Sequence, residues 1–105
     1  MAVAAFVEQG PSADAGRQAC LVFLVGAERV ALPLSRVSTV VRPPEIADLP
    51  LSPAGVLGLA NLRGTVTAII GLHAAMGVPV ALTDKSRVIV VEHGTPAGLL
   101  ADRLL

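Results

Sequence analysis

The chain has 105 residues, enough for one domain, and its eight Lys and Arg are balanced by eight Asp and Glu. This neutral charge argues against nucleic-acid binding by phosphate neutralisation, and two Phe with no Trp or Tyr provide no stacking platform for single strands. Hydrophobic residues make up 53% of the chain, but no run approaches the roughly 18 apolar residues of a membrane span, so we expect a cytoplasmic protein without direct membrane insertion.

The first part of the chain predicts a leader followed by a hairpin. Residues 1–18 contain Gly10, Pro11 and Gly16 and are predicted to form a flexible leader to a domain over residues 19–105. Residues 21–25 and 29–34 are apolar runs separated by a short turn that begins at Gly26, which predicts two paired strands. The single cysteine, Cys20, cannot form an internal disulfide and is predicted to be a small buried hydrophobe.

The rest of the chain alternates short strand-like runs with turn signals. Residues 37–42 predict a third, shorter strand that also allows a helical turn, and four prolines between residues 43 and 53 then interrupt regular structure. Residues 58–66 are interpreted as a tight loop, followed by a strand over 65–72 and one helical turn over 73–77. After a loop over 78–86, a buried strand is predicted over 87–92, a turn over 93–96 and a last strand over 97–104. This succession predicts a mainly all-β domain, a small barrel or sandwich.

The segment around Arg63 carries the residues with the most chemical potential. Gly58 and Gly64 permit backbone angles that other residues avoid, and Asn61 is a natural turn former. Arg63 supplies a planar group with five donors, suited to carboxylates and carbonyl oxygens. An ordinary turn with a solvated Arg has the same residues, so this segment alone does not identify a function.

No pattern in the chain predicts an enzyme. The only imidazoles, His73 and His93, lack the Cys or His spacing of a metal site, and Asp84 and Asp102 are interpreted as isolated carboxylates. Nucleotide-binding and nucleophile motifs are also absent from the sequence. We therefore predict no catalytic residue, no metal and no cofactor.

Taken in order, several segments resemble the CheW family, the scaffold proteins that couple chemoreceptors to a histidine kinase. The resemblance covers roughly residues 20 to 105, and its central piece is the run from Pro53 to Gly64 that contains Asn61 and Arg63. The matching segments are CLVFLVG (20–26), VALPLSRV (30–37), TVVRPP (39–44), LP (49–50), PAGVLGLANLRG (53–64), IIGL (69–72), RVIVVE (87–92) and AGLLAD (97–102).

The resemblance implies a more specific fold. Members of the CheW family have a pair of small five-stranded β-barrels, SH3-like in topology, packed together. The family domain normally continues with further strands beyond the segment that ends here at Leu105. We therefore expect the second barrel to be incomplete and the chain to be a truncated record rather than a natural short form.

The resemblance also implies a function and its residues. The chain is expected to be a non-enzymatic adaptor with two partners, the cytoplasmic helical tip of a chemoreceptor and the regulatory domain of the histidine kinase CheA. Arg63 is assigned to receptor binding, and Asn61 is expected to rigidify its loop. The apolar candidates for receptor binding are Val37, Val40 and Leu62, the last of which precedes Arg63 in the sequence. For each of these three residues, the alternative is a role in core packing alone. Thr39 occupies a position that is often acidic in the family, so partner choice is expected to differ unless that position is merely tolerant.

Two other interpretations remain open. One is a piece of a larger signalling protein, either the CheW-like end of a CheA kinase or a fusion of a CheW-like domain with a receiver domain. The other is a small enzyme or ligand-binding barrel in which Arg63 clamps an anionic group. For this last interpretation the sequence offers no acid–base partner for Arg63.

Overall fold

The computed structural model describes residues 6–8 and 17–105, and this part of the chain is mainly β. A single four-residue helix, α1 (His73–Met76), and a 3₁₀ turn (Leu34–Arg36) are the helical elements of the described residues. The strands are β1 (Phe6–Glu8), β2 (Arg17–Val25), β3 (Glu28–Pro33), β4 (Val37–Val41), β5 (Val56–Leu62), β6 (Thr65–Ile70), β7 (Arg87–His93), β8 (Thr95–Ala101) and β9 (Arg103–Leu104).

The first sheet is built around β2. The predicted hairpin is confirmed, because β2 pairs antiparallel with β3 from Cys20 opposite Pro33 to Val25 opposite Glu28. On its other edge β2 pairs with β9 and, nearer its start, with β1. Most of the predicted leader over residues 1–18 lies outside the described residues, while β1 and the first residues of β2 within it are paired strands.

The second sheet has five strands in the order β4-β7-β8-β6-β5. All neighbours are antiparallel except β6 and β8, which run parallel. The predicted turn over 93–96 is tighter than expected, since β7 ends at His93, β8 begins at Thr95 and only Gly94 lies between them. The predicted last strand over 97–104 divides at Asp102, which lets β8 belong to the second sheet and β9 to the first.

The prediction of a loop over residues 58–66 was wrong for most of its length. Val56–Leu62 form β5, and only Arg63 and Gly64 lie between β5 and β6. The two glycines that suggested one loop have different roles. Gly58 lies in the strand, next to a register irregularity after Val56, and Gly64 lies in the turn. Burial alternates along β5, where Gly58 and Ala60 are buried. This alternation is typical of a strand, and here it outweighs the local turn signals.

The second sheet curls until its two end strands approach each other. Ala47, in the connection after β4, exchanges two backbone hydrogen bonds with Leu59 of β5, with N···O distances of 2.8 and 2.9 Å. A Cβ on Gly58 would collide with the Ala47 carbonyl oxygen, so only glycine allows this approach. β4 and β5 do not pair directly, and neither sheet closes in the described residues. The mainly β fold with two β units is therefore confirmed, whereas closed five-stranded barrels are not seen.

Two hydrophobic clusters lie on opposite faces of β7. Its residues Val88, Ile89 and Val90 are all buried, which confirms the buried strand predicted over 87–92. A strand covered on both faces reads as a continuous apolar run, as this one does. The first cluster consists of Leu21, Phe23, Val25, Ile89 and Ala101. The second cluster consists of Ala60, Ile69, Val88, Val90 and Leu100. β7 thus lies between the two cores and joins the sheets.

A partly buried polar contact ties α1 to both sheets. His73 is 1% exposed, and its Nε2 lies 2.7 Å from Oδ1 of Asp102. The other carboxylate oxygen of Asp102 accepts a hydrogen bond from the Gly26 amide, at 2.6 Å, in the turn between β2 and β3. The interpretation of Asp102 as an isolated carboxylate was therefore wrong. As predicted, Gly77 ends the helical turn, in a left-handed conformation.

Among the described residues, none of the helical segments has the length and apolar character that would let it cross a membrane. Cys20 is 2% exposed at the start of the apolar part of β2, which confirms its prediction as a buried small side chain.

The glycine at position 58 gives a direct test of the curled sheet. We expect Gly58→Ala to lower the free energy of unfolding by about 2 kcal/mol, because the new methyl group must displace the Ala47 carbonyl or bend β5. Urea unfolding followed by circular dichroism measures this change. Gly94→Ala is the matched control: Gly94 also has a positive φ, 82°, but has open space around it. If both variants lose the same free energy of unfolding, glycine is needed at position 58 for its backbone angle and not for the close approach to Ala47.

Candidate functional site

The candidate site begins with the two-residue turn between β5 and β6. Arg63 and Gly64 have φ angles of 54° and 84°, and the flanking Leu62 and Thr65 are paired. Two successive positive φ values are the pattern of a type I′ turn, whose twist suits an antiparallel hairpin. Asn61 stabilises the turn, because its Oδ1 accepts a hydrogen bond of 2.8 Å from the Gly64 amide. The guanidinium of Arg63 is thereby presented from a fixed hairpin end.

Arg63 is an unfavourable residue for the conformation that it adopts. Asn, Asp and Gly are preferred at the first central position of a type I′ turn, whereas a left-handed backbone costs other residues about 1 kcal/mol. The side chain of Arg63 is exposed, so it gains little packing in return. An unfavourable residue on the surface points to a role for the side chain itself rather than for the turn.

The exposed side chain of Arg63 reaches towards the opposite end of the curled sheet. Its Nη2 lies 3.5 Å from Oγ1 of Thr39 in β4, at the outer limit of a hydrogen bond. Both residues line a groove of about 380 Å³, which we call the Arg63 groove. It is lined by Ser38, Thr39, Val41, Arg42, Pro44, Asn61, Leu62, Arg63, Thr65, Thr67, Val90, Glu92 and Pro96.

The Arg63 groove combines an apolar floor with charged walls. Val41, Leu62 and Val90 are wholly or partly buried residues that pack in or against the second cluster. Arg42 and Arg63 provide two positive charges and Glu92 one negative charge, all three on exposed residues. Such a surface suits a protein segment with an apolar side chain and a nearby carboxylate or carbonyl oxygen.

A second groove lies between the two sheets, and we call it the intersheet groove. It has a volume of about 330 Å³ and an almost wholly apolar lining, with Arg36 and Glu92 as its charged residues. Glu92 also lines the Arg63 groove, so the two grooves adjoin. The other lining residues are Leu32 of the first sheet and Ile70, Val91, Ala97 and Leu99 of the second.

The structure divides the sequence-predicted site residues into two groups. Thr39, Asn61, Leu62 and Arg63 line the Arg63 groove together. Val37 and Val40 do not line it. They are half-buried and pack against the first cluster, so their simplest role is structural. A register irregularity between Val37 and Thr39 separates the two groups on β4.

Several residues near the site were not predicted from the sequence. Arg42, Val90 and Glu92 line the Arg63 groove because β4 and β7 are neighbours, a pairing between distant parts of the chain. Val66 is 69% exposed and pairs with Asn61 beside the turn, so it adds an exposed apolar side chain there. Val66 lies between Thr65 and Thr67, a pattern that predicts a strand but only weakly indicates an exposed apolar side chain beside the turn.

The described residues offer little for catalysis or metal binding. They contain no group of three or more His, Cys, Asp and Glu side chains that could hold a metal ion. The closest acid–base contact is between His73 and Asp102, but His73 is buried and inaccessible as a base. We interpret this pair as a structural contact between α1, the first turn and the end of β8.

Comparisons with known proteins agree on one family. The model of the CheW-like domain matches residues 19–105. The chain is 36% identical to chemotaxis protein CheW of Helicobacter pylori over 84 residues, which cover 78% of the chain and 51% of that protein. It is 33% identical to protein PilI of Pseudomonas aeruginosa, over 78% of the chain and 47% of that protein.

A solved structure supports the same likeness. The scaffolding protein TtCheW from Thermoanaerobacter tengcongensis superposes with a TM-score of 0.74 at 32% sequence identity. The match covers 82% of the present chain and 60% of TtCheW. The chain spans about half the length of the curated relatives that it matches.

The unfavourable turn residue leads to a stability prediction. We expect Arg63→Asn to raise the free energy of unfolding by about 0.5–1 kcal/mol, because Asn tolerates the left-handed conformation that Arg63 adopts. Thermal and urea unfolding measure the difference. Arg29→Asn, which removes the same charge from an exposed position in β3, should give no gain. A destabilised Arg63→Asn protein would contradict the proposed cost of the turn.

Proposed function

The chain belongs to the CheW-like domain family, and we propose on that premise that it is a non-enzymatic adaptor between chemoreceptors and the histidine kinase CheA. In this role it works in the cytoplasm, at the helical tips of membrane-bound receptors. The observation that carries the proposal is Arg63, held in an unfavourable turn conformation beside an apolar groove. The exposed Arg63 side chain contributes little to packing, and its position beside the groove supports the capture of a protein partner.

The receptor tip is a helical structure, and the intersheet groove is the surface proposed to receive it. An amphipathic helix binds by placing apolar side chains at helical spacing into such a groove. The lining residues Leu32, Val91 and Leu99 supply apolar contacts from both sheets. The adjoining Arg63 groove would then hold the polar flank of the same helix, with Arg63 donating to a carboxylate or a carbonyl oxygen.

Thr39 modifies this contact. In many CheW-family members an acidic residue occupies the position, and a carboxylate there would form a charged partner for Arg63. The Thr39 hydroxyl gives only a long contact of 3.5 Å, which leaves most donors of the Arg63 guanidinium for the receptor. We therefore propose that Thr39 alters which receptors this adaptor prefers.

The kinase contact is proposed to use a separate surface that is edged by a strand. The regulatory domain of CheA has the same type of fold, so the contact would join one β unit to another. Among the described strands, β3 offers such an edge, because it pairs only with β2.

Removal of the Arg63 side chain tests the receptor site. We expect Arg63→Ala to weaken binding of a helical receptor-tip fragment by about 2 kcal/mol, roughly 30-fold, if Arg63 is a hot spot of the interface. Isothermal titration calorimetry measures the affinity. Arg29→Ala, an exposed Arg in β3 outside both grooves, is the control and should bind normally. An unchanged affinity for Arg63→Ala would remove Arg63 from the receptor site.

A further inference from the structure

Glu92 is the residue that the Arg63 groove and the intersheet groove share. Among the described residues, no other lines both grooves. Glu92 lies near the end of β7 and pairs with Pro96 of β8, across a connection of one residue, Gly94. Because strand residues alternate between faces, Glu92 lies on the same face of β7 as Val90, which lines the Arg63 groove. A ligand that extends from one groove into the other must therefore pass Glu92.

Glu92 also carries the only negative charge in the lining of these two grooves, as the described residues form them. Arg42 and Arg63 line the first groove and Arg36 lines the second, so three cations accompany one carboxylate. Glu92 forms no ion pair with any of them in the described part of the chain. Its carboxylate is therefore not neutralised by the walls of the grooves and is available to a bound cation.

The two grooves present their charges in a fixed order. Arg63 lies at the end of the β5–β6 hairpin, and Glu92 lies at the junction with the intersheet groove. A helix that lies across both grooves meets a cation first, then a carboxylate and then a mainly apolar surface. Unlike charges at two points along a helix distinguish its two directions, whereas apolar contacts alone do not. The charge pattern can thus fix both the direction and the register of a bound helix.

We propose that Glu92 is a specificity-determining residue of the receptor site, an inference that rests on the receptor role proposed above for the two grooves. The Glu92 carboxylate accepts hydrogen bonds from a Lys or Arg of the receptor helix, while an acidic residue of the same helix binds Arg63. The helix that fits therefore has an acidic and a basic residue beside its apolar face. A helix with an acidic residue opposite Glu92 is repelled, and a helix in the reverse direction places its charges beside like charges.

A calorimetric titration of charge variants tests the role of Glu92. The helical receptor-tip fragment is titrated into the whole chain and into its Glu92→Gln and Glu92→Lys variants. We expect the affinity to fall about threefold in Glu92→Gln, which removes the charge, and about tenfold or more in Glu92→Lys, which makes the contact repulsive. Both losses should shrink as the salt concentration rises. Glu28→Lys is the control and should bind normally, since Glu28 is exposed in β3 and lines neither groove.

Reversal of the fragment's own charges identifies the partner of Glu92. Each Lys or Arg of the fragment is replaced in turn by Glu. We expect one of these fragments to bind the wild-type chain about tenfold more weakly than the unchanged fragment does, and to recover most of that loss with Glu92→Lys. The same fragment should show no recovery with Arg63→Ala, because Arg63 contacts a different residue of the helix. Circular dichroism confirms that each variant remains folded.

The possible outcomes separate the role of Glu92 from the receptor role of the grooves. If the fragment does not bind the wild-type chain, both are wrong. If it binds and Arg63→Ala weakens it while both Glu92 variants bind normally, the receptor site stands and the role of Glu92 is wrong. If Glu92→Lys weakens binding but no reversed fragment restores it, Glu92 does not pair with a receptor cation. Tighter binding by Glu92→Lys would also contradict the pairing, because it would place an acidic residue of the receptor beside position 92.

Discussion

The close approach of the Ala47 carbonyl to Gly58 is the constraint on which the candidate site depends. Only a residue without a side chain lets the connection after β4 form its two hydrogen bonds with Leu59. That contact holds the two ends of the five-stranded sheet near each other. The turn at the end of β5 then faces β4, and Arg63 comes within reach of Thr39. A backbone packing requirement at Gly58 thus positions the side chain of Arg63, the residue proposed to bind the receptor.

β7 relates this constraint to the rest of the molecule. Its alternate residues enter the two hydrophobic clusters, so both sheets are built against the same strand. Val91 and Glu92, near its end, line the grooves on which the proposed receptor contact depends. The proposed receptor-binding grooves are therefore positioned by a buried strand.

The local patterns of the sequence predicted much of the fold. The hairpin around Gly26, the buried strand over 87–92 and the helical stop at Gly77 each depend on neighbouring residues, and each is confirmed. The prediction of a loop over 58–66 was wrong because Gly58 is required by a close tertiary approach to Ala47. From the neighbouring residues alone, such a glycine cannot be distinguished from one that forms a turn. The division of the last strand at Asp102 also escaped prediction, since Asp102 is held by His73 and Gly26, distant in the chain. The sequence grouped Val37 and Val40 with Thr39; all three line a larger groove along β4, and only Thr39 also lines the Arg63 groove.

The central claim, receptor capture by the Arg63 groove and the intersheet groove, is tested most directly by an amide NMR titration. The isotope-labelled chain is titrated with a helical receptor-tip fragment, and the shift of each amide is followed. We predict shifts concentrated at residues 61–64 and at Leu32, Val91 and Leu99, with little change in β1 and the start of β2. A well-dispersed spectrum that does not respond to the fragment would contradict this claim.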